Sequence, residues 1–93
     1  MDEKEIKKMV ARDLKNLDPN WHILTKLQYL KDLYGNVCAS FLSQDEVERA
    51  KIFSLAWKYV DTLLLTILEN RLKKLAEEKL MIERLKKRML NSK

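Results

Sequence analysis

His22 is the only histidine and Cys38 the only cysteine in the 93 residues. These two side-chain types do much of the acid–base and nucleophilic chemistry available near neutral pH. One imidazole cannot build a histidine-based metal site, and no Cys-x-x-Cys spacing offers a thiolate one. A nucleophilic Cys–His pair would require Cys38 and His22 to converge, whereas a lone cysteine ordinarily serves as a small apolar residue. The fourteen carboxylates lie nearly all at helix starts or one turn from a Lys or Arg. Glu69 with Lys73, Lys73 with Glu77, Lys74 with Glu78 and Glu83 with Lys87 are examples, and such spacing predicts ion-pair lacing of solvated helix faces. With one Gly in the chain there is no phosphate-cradling loop. The expectation is a protein with no catalytic machinery, no metal and no cofactor.

Chemistry of another kind lies in the C-terminal quarter. Residues 71–93 hold nine Lys and Arg against three Glu, a net charge of +6, while residues 1–70 carry −1. Such asymmetry points to an acidic partner, nucleic acid first among them. Arg71, Lys74, Arg84, Lys86, Lys87 and Arg88 are the candidate nucleic-acid contacts. On a helical wheel the arm's cations spread around the whole polar arc, whereas phosphate tracking favours a stripe and base stacking favours interleaved aromatics. The arm has no aromatic residue. A second candidate site is its apolar seam: Leu68, Leu75, Ile82 and Met89 recur every seven residues, with Leu72 and Leu85 beside them. Arg71, Glu78 and Lys79 intrude on that heptad pattern. Three uses stay open for the arm: packing against a partner helix, gripping nucleic acid, or lying on a membrane. The absence of Trp and Phe anchors disfavours the last.

The elements that carry these residues read as all-α. Hydrophobic residues make up 46% and charged residues 35%, and Gly and Pro occur once each. That composition favours helix and leaves little material for hairpins. Helix 1 is expected over residues 3–16, with Ile6, Met9, Val10, Leu14 and Leu17 on one face. Asp18 should cap a second helix with Pro19 at its first position. That helix should run to Tyr34 on the stripe Ile23, Leu24, Leu27, Leu30 and Tyr34, widened by Trp21, Tyr29 and Leu33. Gly35-Asn36 is the expected stop, with Val37–Leu42 as a further turn or a connector. Ser43 to Glu46 reads as a capping box for a third helix that nothing interrupts.

A helix over 44–92 would be about 73 Å long, longer than so small a domain is wide, so it must protrude, kink or pair. Its first part is apolar on two faces: Phe53, Ala56, Trp57, Val60, Leu64, Ile67 and Leu68 on one, Ile52, Leu55, Tyr59 and Leu63 on another. Such a helix is expected at the centre of a bundle, with Trp21 and Trp57 as core residues. The organisation predicted is a helical bundle over 1–70 and a basic helical arm over 71–93, continuous with the last core helix. Size places the chain near the lower limit for a self-sufficient core, so a protein partner, identical or different, is expected to share its apolar surface. The charged start at Asp2–Lys8 is unlike a signal peptide, and Ile52–Leu68 is cut by Lys58 and Asp61. A cytoplasmic protein without a membrane role is expected.

The order of elements also resembles the helical domain of GINS proteins, subunits of the replicative helicase complex. Leu14-Lys15-Asn16-Leu17-Asp18-Pro19-Asn20-Trp21 and Leu27-Gln28-Tyr29-Leu30-Lys31-Asp32-Leu33 look like that family's leucine-rich first helix, acidic turn and tyrosine-leucine run. Leu68-Glu69-Asn70-Arg71-Leu72-Lys73-Lys74-Leu75-Ala76 looks like its Arg-x-x-Lys-aliphatic segment, with Arg71 and Lys74 at the matching positions. The resemblance spans residues 10–76. Trp21-His22 replaces the family's usual Phe-Tyr pair, and its small β-rich domain is missing. The resemblance implies a structural subunit of a DNA replication assembly that works through helix–helix contacts.

Overall fold

The computed structural model describes residues 1–91, and these form three α-helices. They are α1 (Glu3–Asn16), α2 (Ile23–Ser43) and α3 (Val47–Asn91). The all-α class and the long C-terminal helix expected from the sequence are present. The radius of gyration is 20.1 Å and the principal extents are 73 × 24 × 23 Å. A compact chain of this length would have a radius near 12 Å, so the molecule is a small bundle with a protruding rod.

Local chemistry sets where α1 begins and ends. Asp2 caps it, its carboxylate accepting from the Glu5 N–H at 2.9 Å, and Glu3 and Glu5 place negative charge at the positive end of the helix dipole. The chain turns extended at Leu17. Asp18 and Pro19 then build a turn and not the start of α2. The Asp18 carboxylate accepts from the Asn20 N–H at 2.9 Å, and its carbonyl accepts from the Trp21 N–H at 3.1 Å. With Pro19 in the second position this is an Asx-stabilised β-turn, which satisfies the donors a helix would have needed. The cap of α2 is His22, whose Nδ1 accepts from the Leu24 N–H at 3.1 Å.

Helix α2 also runs nine residues past the expected stop. Gly35 does not have the positive φ of a C-terminal glycine. The left-handed residue is Asp45, at φ 58°. Around it the Asp45 N–H donates to the Leu42 carbonyl at 3.1 Å and the Glu46 N–H to the Phe41 carbonyl at 2.9 Å. That pair of bonds is a Schellman motif, and it closes α2 at Ser43. Ser43 does not cap α3, because its hydroxyl donates back to the Ser40 carbonyl at 2.7 Å. Glu46 opens α3 instead, its carbonyl accepting from the Ala50 N–H at 3.0 Å.

The core joins Ile6 and Val10 of α1, Leu27, Leu30 and Tyr34 of α2, and Ala56 and Val60 of α3. Helix α2 lies along α3 far more extensively than α1 does. Added length in α2 supports this packing: Phe41 stacks on Phe53 with ring centroids 5.6 Å apart, and the Cys38 thiol donates to the Ala50 carbonyl at 3.3 Å. At the other end of the interface the Lys31 ammonium meets the Asp61 carboxylate at 2.9 Å and lies 5.2 Å from the centre of the Trp57 ring. Tyr34, fully buried, ties α2 to α1 by donating to the Asp13 carboxylate at 2.6 Å. The expected enclosure of α3 is one-sided, since Leu55 and Leu65 remain exposed. Trp21, expected in the core, is 40% exposed and packs edge-on against Tyr29 with centroids 5.7 Å apart.

Candidate partner-helix interface

Helix α3 passes through Asn70 without a break, but its surroundings change there. Ile67 is the last residue on it that is even half-buried; every described residue from Leu68 to Asn91 is exposed. The rise per residue makes this exposed length about 36 Å. The candidate seam therefore stands in water. Leu68 is 39% exposed and Met89 72%, with Leu72, Leu75, Ile82 and Leu85 between those values.

Geometry orders these residues into two columns that run along one face. Leu68, Leu75, Ile82 and Met89 make one, and Asp61 heads it. The second is masked in the sequence because half of its members are lysine. It reads Leu65, Leu72, Lys79 and Lys86, again seven apart. The alternating three- and four-residue spacing of Leu65, Leu68, Leu72 and Leu75 was the signal that could have found it. Leu85 lies at the edge of this face. Leu90 extends it, and both Leu65 and Leu90 are exposed.

The exposed seam begins beside the N-terminal end of α2. The His22 ring at the start of α2 approaches the Arg71 guanidinium, with 3.1 Å between Nε2 and the nearer nitrogen. Arg71 is thus drawn toward the bundle and away from the other candidate cations. Those others are not gathered into a patch. By the 100° step of an α-helix, Arg84 and Arg88 share the face opposite the seam, Lys86 lies in the seam, and Lys74 and Lys87 flank it on either side. The anticipated lacing is also missing. Ion pairs within 4.0 Å among the described residues all lie between Glu3 and Asp61. None of the pairs Glu69–Lys73, Lys73–Glu77, Lys74–Glu78 and Glu83–Lys87 forms.

His22 and Cys38 are sixteen residues apart on the same helix, about 24 Å, so they do not converge. A groove of about 480 Å³ lies between α1 and α3, lined by Glu3, Ile6, Lys7, Leu55, Lys58, Tyr59 and Thr62. Its Glu3 and Lys7 pair with each other at 3.2 Å. Among the described residues no cluster of His, Cys, Asp and Glu could hold a metal ion, and no helix is long and apolar enough to cross a membrane. Comparison with protein families, curated proteins and solved structures finds no match for the chain.

Proposed function

We propose that the protein is a non-enzymatic accessory or assembly subunit that binds a partner chain through helix–helix contacts made by the exposed seam of α3. The observation that carries this reading is the apolar column Leu68, Leu75, Ile82 and Met89, fully outside the bundle on a rod that the core does not need to enclose. A free helix gains nothing from a regular apolar stripe in water, whereas a partner helix buries it at about 25 cal/mol per Å². The resemblance to GINS helical domains supports placing the assembly in DNA replication or another nucleic-acid complex, in the cytoplasm. A photo-crosslinking side chain at Leu75, introduced into the full chain in cells, tests the reading. A discrete adduct with one protein is expected, and adducts with nucleic acid alone would overturn it.

A second reading is direct nucleic-acid binding by the arm. It is favoured by the absence, among the described residues, of ion pairs on Lys74, Arg84, Lys86, Lys87 and Arg88, which leaves their charge available to phosphates. Labelled single- and double-stranded DNA and RNA, titrated at several salt concentrations, separate the two. Steep salt dependence lost in a chain ending at Asn70 belongs to the second reading.

A further inference from the structure

We propose that the seam of α3 beyond the bundle docks an acidic amphipathic helix from another protein, with carboxylates seven residues apart that meet Lys79 and Lys86. This rests on the helix–helix reading above and names the partner's chemistry. The molecule already makes part of such an interface. Asp61, first in the apolar column's register, is engaged by α2 through Lys31 at 2.9 Å. Helix α2 then runs out at His22, beside Arg71. From Leu72 onward the same face is exposed for about 30 Å, the length of a helix of about twenty residues. The partner would extend the cover that α2 provides over the earlier turns.

Charge decides what that partner is. One column stays apolar to Met89, while the other changes from Leu65 and Leu72 to Lys79 and Lys86. Lysine at a seam position selects against some partners and for others, because an unpaired ammonium between helices loses hydration without compensation. A second copy in parallel register would set Lys79 against Lys79 and Lys86 against Lys86. In either direction it would bring together two arms that each hold eight cations and three anions over residues 71–91. Nucleic acid would place phosphates against Leu75, Ile82 and Met89. An acidic helix satisfies both columns, with apolar residues against the first and carboxylates opposite the two lysines, neither of which has an ion pair with a described residue.

The test uses the full chain and three labelled peptides of about three heptads, with Leu in one column and Glu, Gln or Lys in the other. The Glu peptide is expected to bind roughly tenfold tighter than the Gln peptide at low salt, the size two interhelical ion pairs can supply. The double variant K79E/K86E is expected to reverse the preference toward the Lys peptide. Both sites are exposed, and circular dichroism checks that the helix content is kept. Equal binding of the Glu and Gln peptides, abolished by Leu75→Ser, overturns the acidic partner and leaves the helix–helix reading standing. Binding of no peptide, or binding indifferent to Leu75→Ser, overturns both. Sedimentation of the protein alone as a dimer that Leu75→Ser dissociates assigns the seam to a second copy and also overturns the proposal.

Discussion

A Cβ atom placed on Gly35 would lie 3.3 Å from Cδ1 of Trp57, so the single glycine of the chain marks a close approach of α2 to α3 and not the end of a helix. Alanine there gains about 1 kcal/mol of helix propensity over glycine. Against that, the Trp57 ring must shift by a few tenths of an ångström, which its half-buried position under Lys31 permits. Gly35→Ala is therefore expected to change stability by less than about 1 kcal/mol in a urea titration. Gly35→Val adds two methyl groups to the same contact and a stiff side chain to the helix. It is expected to cost roughly 2 kcal/mol, in the range of core overpacking.

Tyr34 and Asp13 offer a different kind of tie. Burial, together with the hydrogen bond to Asp13 and the charge of that carboxylate, pushes the Tyr34 phenol well above its ordinary value of 10.0, with Arg12 opposing. The folded state therefore holds this proton more tightly than the unfolded chain. That contribution to stability is fully present below pH 10 and is lost as pH rises beyond it. Wild type is expected to lose stability more steeply than Tyr34→Phe above that pH, measured as the difference between their urea midpoints. At neutral pH the variant is expected to be less stable by about 1–2 kcal/mol, the worth of a hydrogen bond to a charged acceptor.

Helix α1, the core stripe of α2 and the uninterrupted run of α3 were legible because period and propensity agree along them. Ile6, Val10, Leu27, Leu30 and Tyr34 are all buried, as their spacing implied. The helix ends were misread where two residues compete for one role. Asp18 has the right type for a cap, but Pro19 lets it close a turn first, and the cap passes to His22. Gly35 has the right type for a stop, but α2 gains Phe41 and Cys38 contacts with α3 by continuing, and Asp45 takes the left-handed position. The second outcome depends on contacts between α2 and α3, which local residue type does not encode. At the candidate site the apolar column was legible from its heptad spacing. Its neighbour was hidden because half of that column is lysine.

Asp45 is the one described non-glycine residue with a positive φ. Its Cβ crowds the backbone in that conformation, a cost that glycine does not have. Asp45→Gly is expected to stabilise the protein by about 0.5–1 kcal/mol while keeping the two Schellman bonds from Asp45 and Glu46. Thermal melting checks the direction, and a lower midpoint would mean that the Asp45 side chain matters more to the connection than its backbone geometry does.

Removal of the arm tests how the rod and the bundle are divided. Among the described residues none after Ile67 is buried, and Arg71 with His22 is the polar link from this stretch back to the bundle. Exposed apolar side chains that touch no core give no stability when they are cut away. A chain ending at Asn70 is therefore expected to melt within about 2 °C of the full chain, since 1 kcal/mol corresponds to roughly 4–8 °C for a domain of this size. Its net charge falls from +5 to −1, so cation-exchange retention should vanish while the fold stays. Circular dichroism would record the loss of helix in proportion to the residues removed. A drop of 10 °C or so would mean that the arm helps hold α2 on α3. Unchanged melting with lost partner binding would mean that residues 71–91 are kept for contact with another molecule.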